Sequence, residues 1–311
     1  MLATHRHQPE SGARFIDPRV LARIANLELL ARTVVEGFVS GLHRSPHLGL
    51  STDFAEHRQY QPGDDLRRLD WKLFGRTDRF YLKEFEAETN ANVVVLLDGS
   101  RSMQYGSGAV TKLDYARYLA AALLWFSQSQ RDKVGLVTFD RDILEHIPPS
   151  TRRLPHCLHA LERMAKHAPA PGPAGTLDRP LRKATELLTR RGIIILISDL
   201  YETPDSVLAA CGHLRQRGND LIVLQVLDSA ELNFPFTEAS SFEDLETGEK
   251  IPIVPDRVEK GYRAKMAGHL AELRRLLGRG GIDYATFDSS KPLDHALFNY
   301  LNSRQRLARA R

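Results

Sequence analysis

Short, uninterrupted apolar runs alternate with amphipathic stretches along most of this chain. The runs cover residues 93–97, 134–139, 193–197, 221–227 and 284–287. Val, Ile and Leu without polar alternation are typical of strands covered on both faces, as in a parallel sheet. Between the runs, apolar residues recur at helical spacing in 112–129, 154–164, 178–190, 204–217, 255–277 and 293–301. The alternation predicts an α/β domain with a doubly wound, mostly parallel sheet.

Two further segments have the spacing of hairpins. Residues 143–147 follow the run 134–139 after a short turn, which predicts an antiparallel strand at one edge of the sheet. A second hairpin is predicted within 242–253, with Thr247-Gly248 as its turn.

The beginning of the chain has a different pattern. Residues 18–42 carry apolar positions at helical spacing, with Asp17 as a candidate N-cap and Pro18 at the first helical position. A loop-rich, charged segment follows, up to about Thr89. We therefore divide the chain into an N-terminal extension, residues 1–91, and an α/β domain, residues 92–311.

Composition narrows the class of protein. The 311 residues are 42% hydrophobic and 26% charged, as in ordinary soluble globular proteins. The apolar runs are too short to cross a bilayer and no signal-peptide pattern opens the chain, so we expect no membrane span. Two cysteines, Cys157 and Cys211, cannot form a disulfide framework, which favours the cytoplasm. The net charge is +4 without a basic stripe, so no nucleic-acid partner is expected.

Oxygen-bearing side chains follow two of the predicted buried strands. The run 93–97 leads into Asp98-Gly99-Ser100-Arg101-Ser102, and the run 193–197 leads into Ser198-Asp199. Between them, Thr176 ends a loop rich in glycine and proline. Carboxylates and hydroxyls at the carboxyl ends of parallel strands suit a hard divalent cation. Taken alone, the first pentad would also fit an Asp-Gly turn before a Ser-capped helix.

The residues Asp98, Ser100, Ser102, Thr176 and Asp199 resemble the metal-ion-dependent adhesion site (MIDAS) of von Willebrand factor A domains. That pattern is Asp-x-Ser-x-Ser after the first strand, a loop Thr, and an Asp after the fourth strand. One departure is Leu177, where many relatives have Asp directly after the Thr. The resemblance implies a Rossmann-like fold with strand order 3-2-1-4-5-6.

For the site itself, the resemblance implies Mg²⁺, with Mn²⁺ or Ca²⁺ as alternatives, and an open coordination position for an acidic residue of another protein. Arg101 and Met103 stand beside the site in sequence and are candidates for contact with that partner.

The N-terminal extension resembles the signature of domain-of-unknown-function family 58. The residues that carry the likeness are Tyr60, Gly63, Asp64, Arg67, Asp70 and Trp71. The likeness spans the chain from about Gly49 to Leu301 and suggests the branch without transmembrane helices. It implies a role beside a MoxR-type AAA+ ATPase in complex assembly or maturation. The charged residues of the signature could form a binding surface, but a structural ion-pair network is favoured, because surface charges in turns are usually solvated.

An enzyme is the competing interpretation. Asp98 and Asp199 could serve a Mg²⁺-dependent phosphohydrolase or nuclease, but two-metal sites usually need more carboxylates. Ser100 stands where a haloacid-dehalogenase-like phosphatase would have a second Asp. The sequence has no Walker loop and no Gly-x-Ser-x-Gly elbow. We therefore expect a metal-dependent protein-binding module that is not an enzyme.

Overall fold

The structure is a computed structural model that describes residues 26–43, 57–59, 81–83, 91–169, 176–238, 240–243 and 250–297. Within these residues the strands are β1 (His57–Gln59), β2 (Tyr81–Lys83), β3 (Asn92–Asp98), β4 (Lys133–Phe139), β5 (Ile143–Ser150), β6 (Ile193–Ser198), β7 (Asp220–Leu227), β8 (Ser240–Glu243), β9 (Lys250–Ile253) and β10 (Asp283–Asp288). The helices are α1 (Leu27–His43), α2 (Lys112–Ser129), α3 (Leu154–Met164), α4 (Asp178–Leu187), α5 (Pro204–Arg215), α6 (Ser229–Asn233) and α7 (Pro255–Arg279). A 3₁₀ turn, Arg101–Gln104, follows β3.

A six-stranded sheet forms the centre of the α/β domain, in the order β10-β7-β6-β3-β4-β5. Its strands pair in parallel except for β5, which is antiparallel to β4. If the six strands of this sheet are renumbered 1 to 6 along the chain and read from β5 to β10, their order is 3-2-1-4-5-6. The predicted topology is therefore confirmed. The strands β1–β2 and β8–β9 form two separate antiparallel pairs.

Helices bury both faces of the sheet, which explains why its strands lack polar alternation. Val95 and Leu97 of β3 point into a core shared with α1, α2 and α3. Val94 and Leu96 point into the opposite core, shared with α4, α5 and α7. Full burial of one such side chain contributes about 1.5–3 kcal/mol, so the central strand is firmly fixed.

Asn26 interrupts the helix that the sequence predicts for residues 18–42. The first residue of α1 is Leu27, and the Oδ1 atom of Asn26 accepts a hydrogen bond from the main-chain N–H of Leu29 at 3.0 Å. Asn26 therefore caps the helix that starts at Leu27, so residues 18–42 do not form one continuous helix. Asp17 and Pro18 lie outside the described residues.

Helix α4 ends earlier than expected, at Leu187 rather than at residue 190. Leu188 leaves the helical conformation with φ −87° and ψ 85°, and its side chain is buried in the core beside α5. Burial of Leu188 outweighs the helical pattern of the residues after it. The predicted edge strand is confirmed as β5, and the strands of the second hairpin are confirmed as the pair β8 and β9; its predicted turn, Thr247-Gly248, lies outside the described residues.

Strand β5 lies at one edge of the large sheet. Its last residues include Pro148 and Pro149, and proline has no main-chain N–H to donate. Prolines are tolerated in sheets mainly on such edge strands.

Candidate metal centre

The carboxyl ends of β3 and β6 bring two carboxylates to one edge of the sheet. Leu97 of β3 is paired with Ile197 of β6, so Asp98 and Ser198 follow at the same level. Asp98 and Asp199 are both buried, with 4% and 3% of their surface exposed. Two carboxylates removed from water at neighbouring positions need compensation of their charge.

Serine groups surround the Asp98 carboxylate. The Ser198 hydroxyl donates a hydrogen bond to Asp98 Oδ2 at 2.6 Å, and the Ser100 N–H donates to Asp98 Oδ1 at 2.9 Å. The hydroxyl oxygens of Ser100 and Ser102 lie 3.2 Å apart. The structure therefore groups Asp98, Ser100 and Ser102 at the start of the 3₁₀ turn.

The pKa of Asp98 is raised from 3.8 to about 7. Burial is the main cause, and the negative charge of Asp199 adds to it. The hydrogen bonds from Ser198 and Ser100 lower this pKa and only partly offset the effect. Without a metal ion, the groups around Asp98 thus offset only part of the free-energy cost of its buried negative charge.

A sharp turn follows β6 and positions Asp199. Leu200 adopts a left-handed conformation with φ 55°, which is uncommon for a residue other than glycine. Its N–H donates to the Ser198 hydroxyl at 3.1 Å, and its side chain is buried. The main-chain oxygen of Asp199 accepts a hydrogen bond from Gln225 Nε2 at 2.7 Å. Conformational strain held in this way is often found at functional sites.

Asp199 also has a cationic partner that the sequence reasoning missed. The ammonium of Lys112 lies 2.8 Å from Asp199 Oδ2 and 2.7 Å from Glu231 Oε1. Burial lowers the pKa of Lys112, but the charges of Asp199 and Glu231 outweigh it and the pKa is raised. Burial raises the pKa of Glu231, and Lys112 offsets this only in part. Lys112 therefore stays charged as the shared partner of two carboxylates.

One signal in the sequence could have identified Lys112. It is the first residue of α2, directly after Thr111, which forms a capping box with Asp114. A cation at the N-terminus of a helix is disfavoured by the helix dipole. A lysine at this position therefore indicates an acidic partner elsewhere in the fold.

The fifth predicted residue, Thr176, is exposed. Its neighbour Leu177 is buried and donates its N–H to Glu202 Oε1 at 2.5 Å, while the Ser206 hydroxyl donates to Glu202 Oε2 at 2.6 Å. Glu202 thus fixes the start of α4 to the connection between β6 and α5. The contact of Glu202 with the Leu177 N–H was not predicted from the sequence. It holds Thr176 near the segment that follows Asp199.

The two candidate partner residues differ. Met103 is fully buried in the core that includes α2, so the structure does not support contact between its side chain and a partner protein. Its apolar side chain instead fixes the 3₁₀ turn to the sheet. Arg101 is half-buried at the start of that turn.

The remaining predicted positions form the N-terminal signature. They are Tyr60, Gly63, Asp64, Arg67, Asp70 and Trp71, and all lie outside the described residues.

The donor set fits a hard divalent cation better than zinc or copper. Carboxylates and hydroxyls suit Mg²⁺, Mn²⁺ or Ca²⁺, whereas zinc and copper favour histidine and cysteine. Among the described residues, no group of three or more His, Cys, Asp and Glu side chains could hold a metal ion. A site at Asp98 and Asp199 would therefore depend on serine and threonine oxygens and on water.

A comparison with protein families decides the relationship. Residues 56–272 match the family described as "Protein of unknown function DUF58". The chain belongs to the DUF58 family. Two relatives of this DUF58 protein are the uncharacterized proteins Rv1480 of Mycobacterium tuberculosis and Mb1516 of Mycobacterium bovis. Each is 26% identical over 297 residues, which cover 94% of this chain and 92% of the relative.

Several solved structures resemble the DUF58 chain. BatB from Bacteroides thetaiotaomicron is 18% identical, with a TM-score of 0.42, and the match covers 70% of this chain and 99% of BatB. An aerotolerance-related membrane protein from Bacteroides fragilis is 19% identical, with a TM-score of 0.46 and coverages of 68% and 99%. The vWF domain of the pilus tip protein Mfa5 from Porphyromonas gingivalis is 15% identical, with a TM-score of 0.34 and coverages of 70% and 95%.

Across the described part of this DUF58 protein, no helix combines the length and apolar character needed to cross a membrane.

Proposed function

We propose that this protein is a metal-dependent protein-binding module. In this proposal Asp98, Ser100, Ser102, Thr176 and Asp199 hold one divalent cation, Mg²⁺ in the first place, with Mn²⁺ or Ca²⁺ as alternatives. The cation would supply a positive centre that an acidic side chain of a partner protein can reach.

The observation that carries the proposal is the pair of buried carboxylates at the ends of β3 and β6. Burial, and after it the negative charge of Asp199, raises the pKa of Asp98 to about 7. A divalent cation between them would remove this penalty, because opposite charge favours the ionised form. The Ser100 and Ser102 hydroxyls, 3.2 Å apart, supply further oxygen ligands on the same side.

Two carboxylates and three hydroxyls leave a hard cation short of negative charge and short of its usual six ligands. A carboxylate from another protein would complete the set, and its charge-assisted contact in a partly buried cleft would add specificity. The family resemblance suggests a MoxR-type AAA+ ATPase as the partner and complex assembly or maturation as the process. The support for this choice of partner is the membership of the chain in the DUF58 family.

A phosphohydrolase or nuclease is the second candidate that Asp98 and Asp199 allow. The described residues supply few carboxylates for a two-metal site, whose ions usually lie about 4 Å apart. Asp199 is moreover paired with the buried Lys112. Phosphatase and nuclease assays with Mg²⁺ and Mn²⁺ test this candidate, and turnover that Asp98→Ala abolishes would establish it.

Metal binding is tested by isothermal titration calorimetry on the full chain. We expect wild-type protein to bind Mg²⁺ or Mn²⁺ and Asp98→Ala to bind neither. Asp220→Asn is the matched control, because Asp220 is exposed and begins β7, at the amino ends of the parallel strands, opposite the carboxyl ends that carry the candidate metal centre. A wild-type protein that binds no divalent cation, or an Asp98→Ala protein that binds as wild type does, would contradict the proposal.

Partner capture is tested by a pull-down with a MoxR-type ATPase, with Mg²⁺ or with EDTA. Capture should require Mg²⁺ and should be lost in Asp98→Ala but not in Asp220→Asn. Capture by Asp98→Ala in the presence of EDTA would exclude a role for the ion in binding.

A further inference from the structure

The side chain of Lys112 is a cation placed inside the candidate metal centre. None of its surface is exposed, and its ammonium contacts Asp199 and Glu231 at 2.8 and 2.7 Å. The ring of Tyr201 covers it, with 4.6 Å between the ammonium and the ring centroid. Lys112 therefore neutralises one of the two carboxylates that the proposed metal ion would need.

Both ends of this contact are fixed by main-chain hydrogen bonds. The Lys112 N–H donates to the Tyr105 carbonyl at 2.8 Å, and Thr111 caps the helix that follows. On the other side, Glu231 Oε2 accepts the Asp228 N–H at 2.8 Å. Movement of the Lys112 ammonium away from Asp199 and Glu231 therefore costs more free energy than the same movement of an exposed lysine.

Asp228 extends the network to other strands at the carboxyl-end side of the sheet. Its carboxylate accepts hydrogen bonds from the Ser107 hydroxyl at 2.5 Å and from the Ser289 hydroxyl at 3.2 Å. Ser107 precedes α2, and Ser289 follows β10. Lys112 is therefore held in a frame that joins the loops after β3, β6, β7 and β10.

We propose that Lys112 is a tethered counter-cation that positions Asp199 without metal and competes with the divalent cation for it. This inference rests on the proposed metal site. The ion pair uses Asp199 Oδ2 and leaves the second carboxylate oxygen for a metal ion. A fixed positive charge beside a divalent cation weakens the binding of that cation, because the repulsion acts in a poorly screened interior.

A purely structural lysine would have the opposite effect on metal binding. If Lys112 only held Asp199 in place, its removal would disorder the ligand and weaken the binding of Mg²⁺. If Lys112 competes with the ion, removal of its charge strengthens Mg²⁺ binding while the metal-free protein loses stability. The direction of the change in affinity separates these roles.

The test compares Lys112→Met and Lys112→Arg with wild type by Mg²⁺ calorimetry and by thermal melting in EDTA. Methionine keeps the length of the side chain without the charge, and arginine keeps the charge. We expect the affinity of Lys112→Met for Mg²⁺ to exceed that of wild type by about tenfold or more. In EDTA, Lys112→Met should melt at a lower temperature than wild type. Addition of Mg²⁺ should raise its melting temperature by more than that of wild type. Lys112→Arg should stay close to wild type in affinity.

A second pair of variants keeps the test decisive if Lys112→Met does not fold. Glu231→Gln removes one buried carboxylate, so Lys112→Met combined with Glu231→Gln leaves less unpaired charge. The double variant should bind Mg²⁺ about tenfold more tightly than Glu231→Gln alone.

Each outcome bears on a different claim. Equal or weaker Mg²⁺ binding after loss of the Lys112 charge, in a wild type that binds Mg²⁺, would overturn the role of Lys112 and leave the metal site intact. Absence of divalent-cation binding in folded wild-type protein would overturn the metal site itself, and the role of Lys112 with it.

Discussion

Replacement of Asp98 by asparagine should stabilise the metal-free protein at alkaline pH. The variant removes the buried negative charge and keeps the size of the side chain. Its Oδ1 can still accept the Ser100 N–H, which lies 2.9 Å from that atom in wild type. The new amide group faces the Ser198 hydroxyl, which must turn to accept instead of donating.

The magnitude follows from the pKa of Asp98, which is raised from 3.8 to about 7 mainly by burial. A difference of about three pKa units corresponds to about 4 kcal/mol of penalty on the ionised form. Loss of the bond donated by Ser198 costs about 1 kcal/mol. The expected net gain for Asp98→Asn in EDTA at pH 8 is therefore about 3 kcal/mol.

The pH dependence has a definite sign. Because the folded-state pKa is raised, the folded protein keeps a proton on Asp98 that the unfolded chain releases above about pH 4. The stability associated with this proton is present below pH 4 and is lost as the pH rises to about 7. The advantage of Asp98→Asn should accordingly be absent at pH 4 and fully developed at pH 8.

Urea denaturation in EDTA at pH 4, 6 and 8 measures this effect, with Asp220→Asn as the control for loss of a surface charge. Saturating Mg²⁺ at pH 8 should stabilise wild type and leave Asp98→Asn unchanged. If Asp98→Asn is no more stable than wild type at pH 8 in EDTA, the Asp98 carboxylate is not under-compensated, and the reasoning fails.

Three further predictions concern the surroundings of the site and the sheet. Gly192→Ala should cost about 2–3 kcal/mol in urea denaturation, because the new Cβ would lie 2.1 Å from the main-chain oxygen of Asn92. The two cysteines are buried and burial raises the pKa of each thiol to about 12, so a thiol reagent at pH 8 should label them only after unfolding. Glu202→Ala removes the acceptor that holds the Leu177 N–H and should weaken Mg²⁺ binding in calorimetry by about 5–10-fold, whereas an unchanged affinity would show that Thr176 needs no such anchor.

The sequence was most informative where burial dictates the pattern. Strands β3 and β6 were predicted to within one residue at each end, because both faces of each strand are covered and the residues between their ends are all apolar. The positions of Asp98 and Asp199 followed directly, since both come where a predicted strand ends. The interruption at Asn26 was missed because the apolar positions keep helical spacing across it.

Contacts between distant residues limited the prediction of the site. Lys112 pairs with Asp199 and Glu231, which are 87 and 119 residues away in the chain. Nothing local to Glu231 distinguishes it from other first-turn acids of short helices. The burial of Met103 likewise depends on how the 3₁₀ turn docks on α2, whereas its place in the sequence suggested a surface position.

The two prolines of β5 restrict how this protein can associate with others. A foreign strand laid along the outer side of β5 would meet a proline without an N–H, because one of two consecutive residues faces outwards, so hydrogen-bonded extension of the sheet is weakened there. Unwanted pairing between copies through this edge, the route to domain exchange and fibrils, is thereby disfavoured. Association is directed instead to surfaces built from side chains and loops.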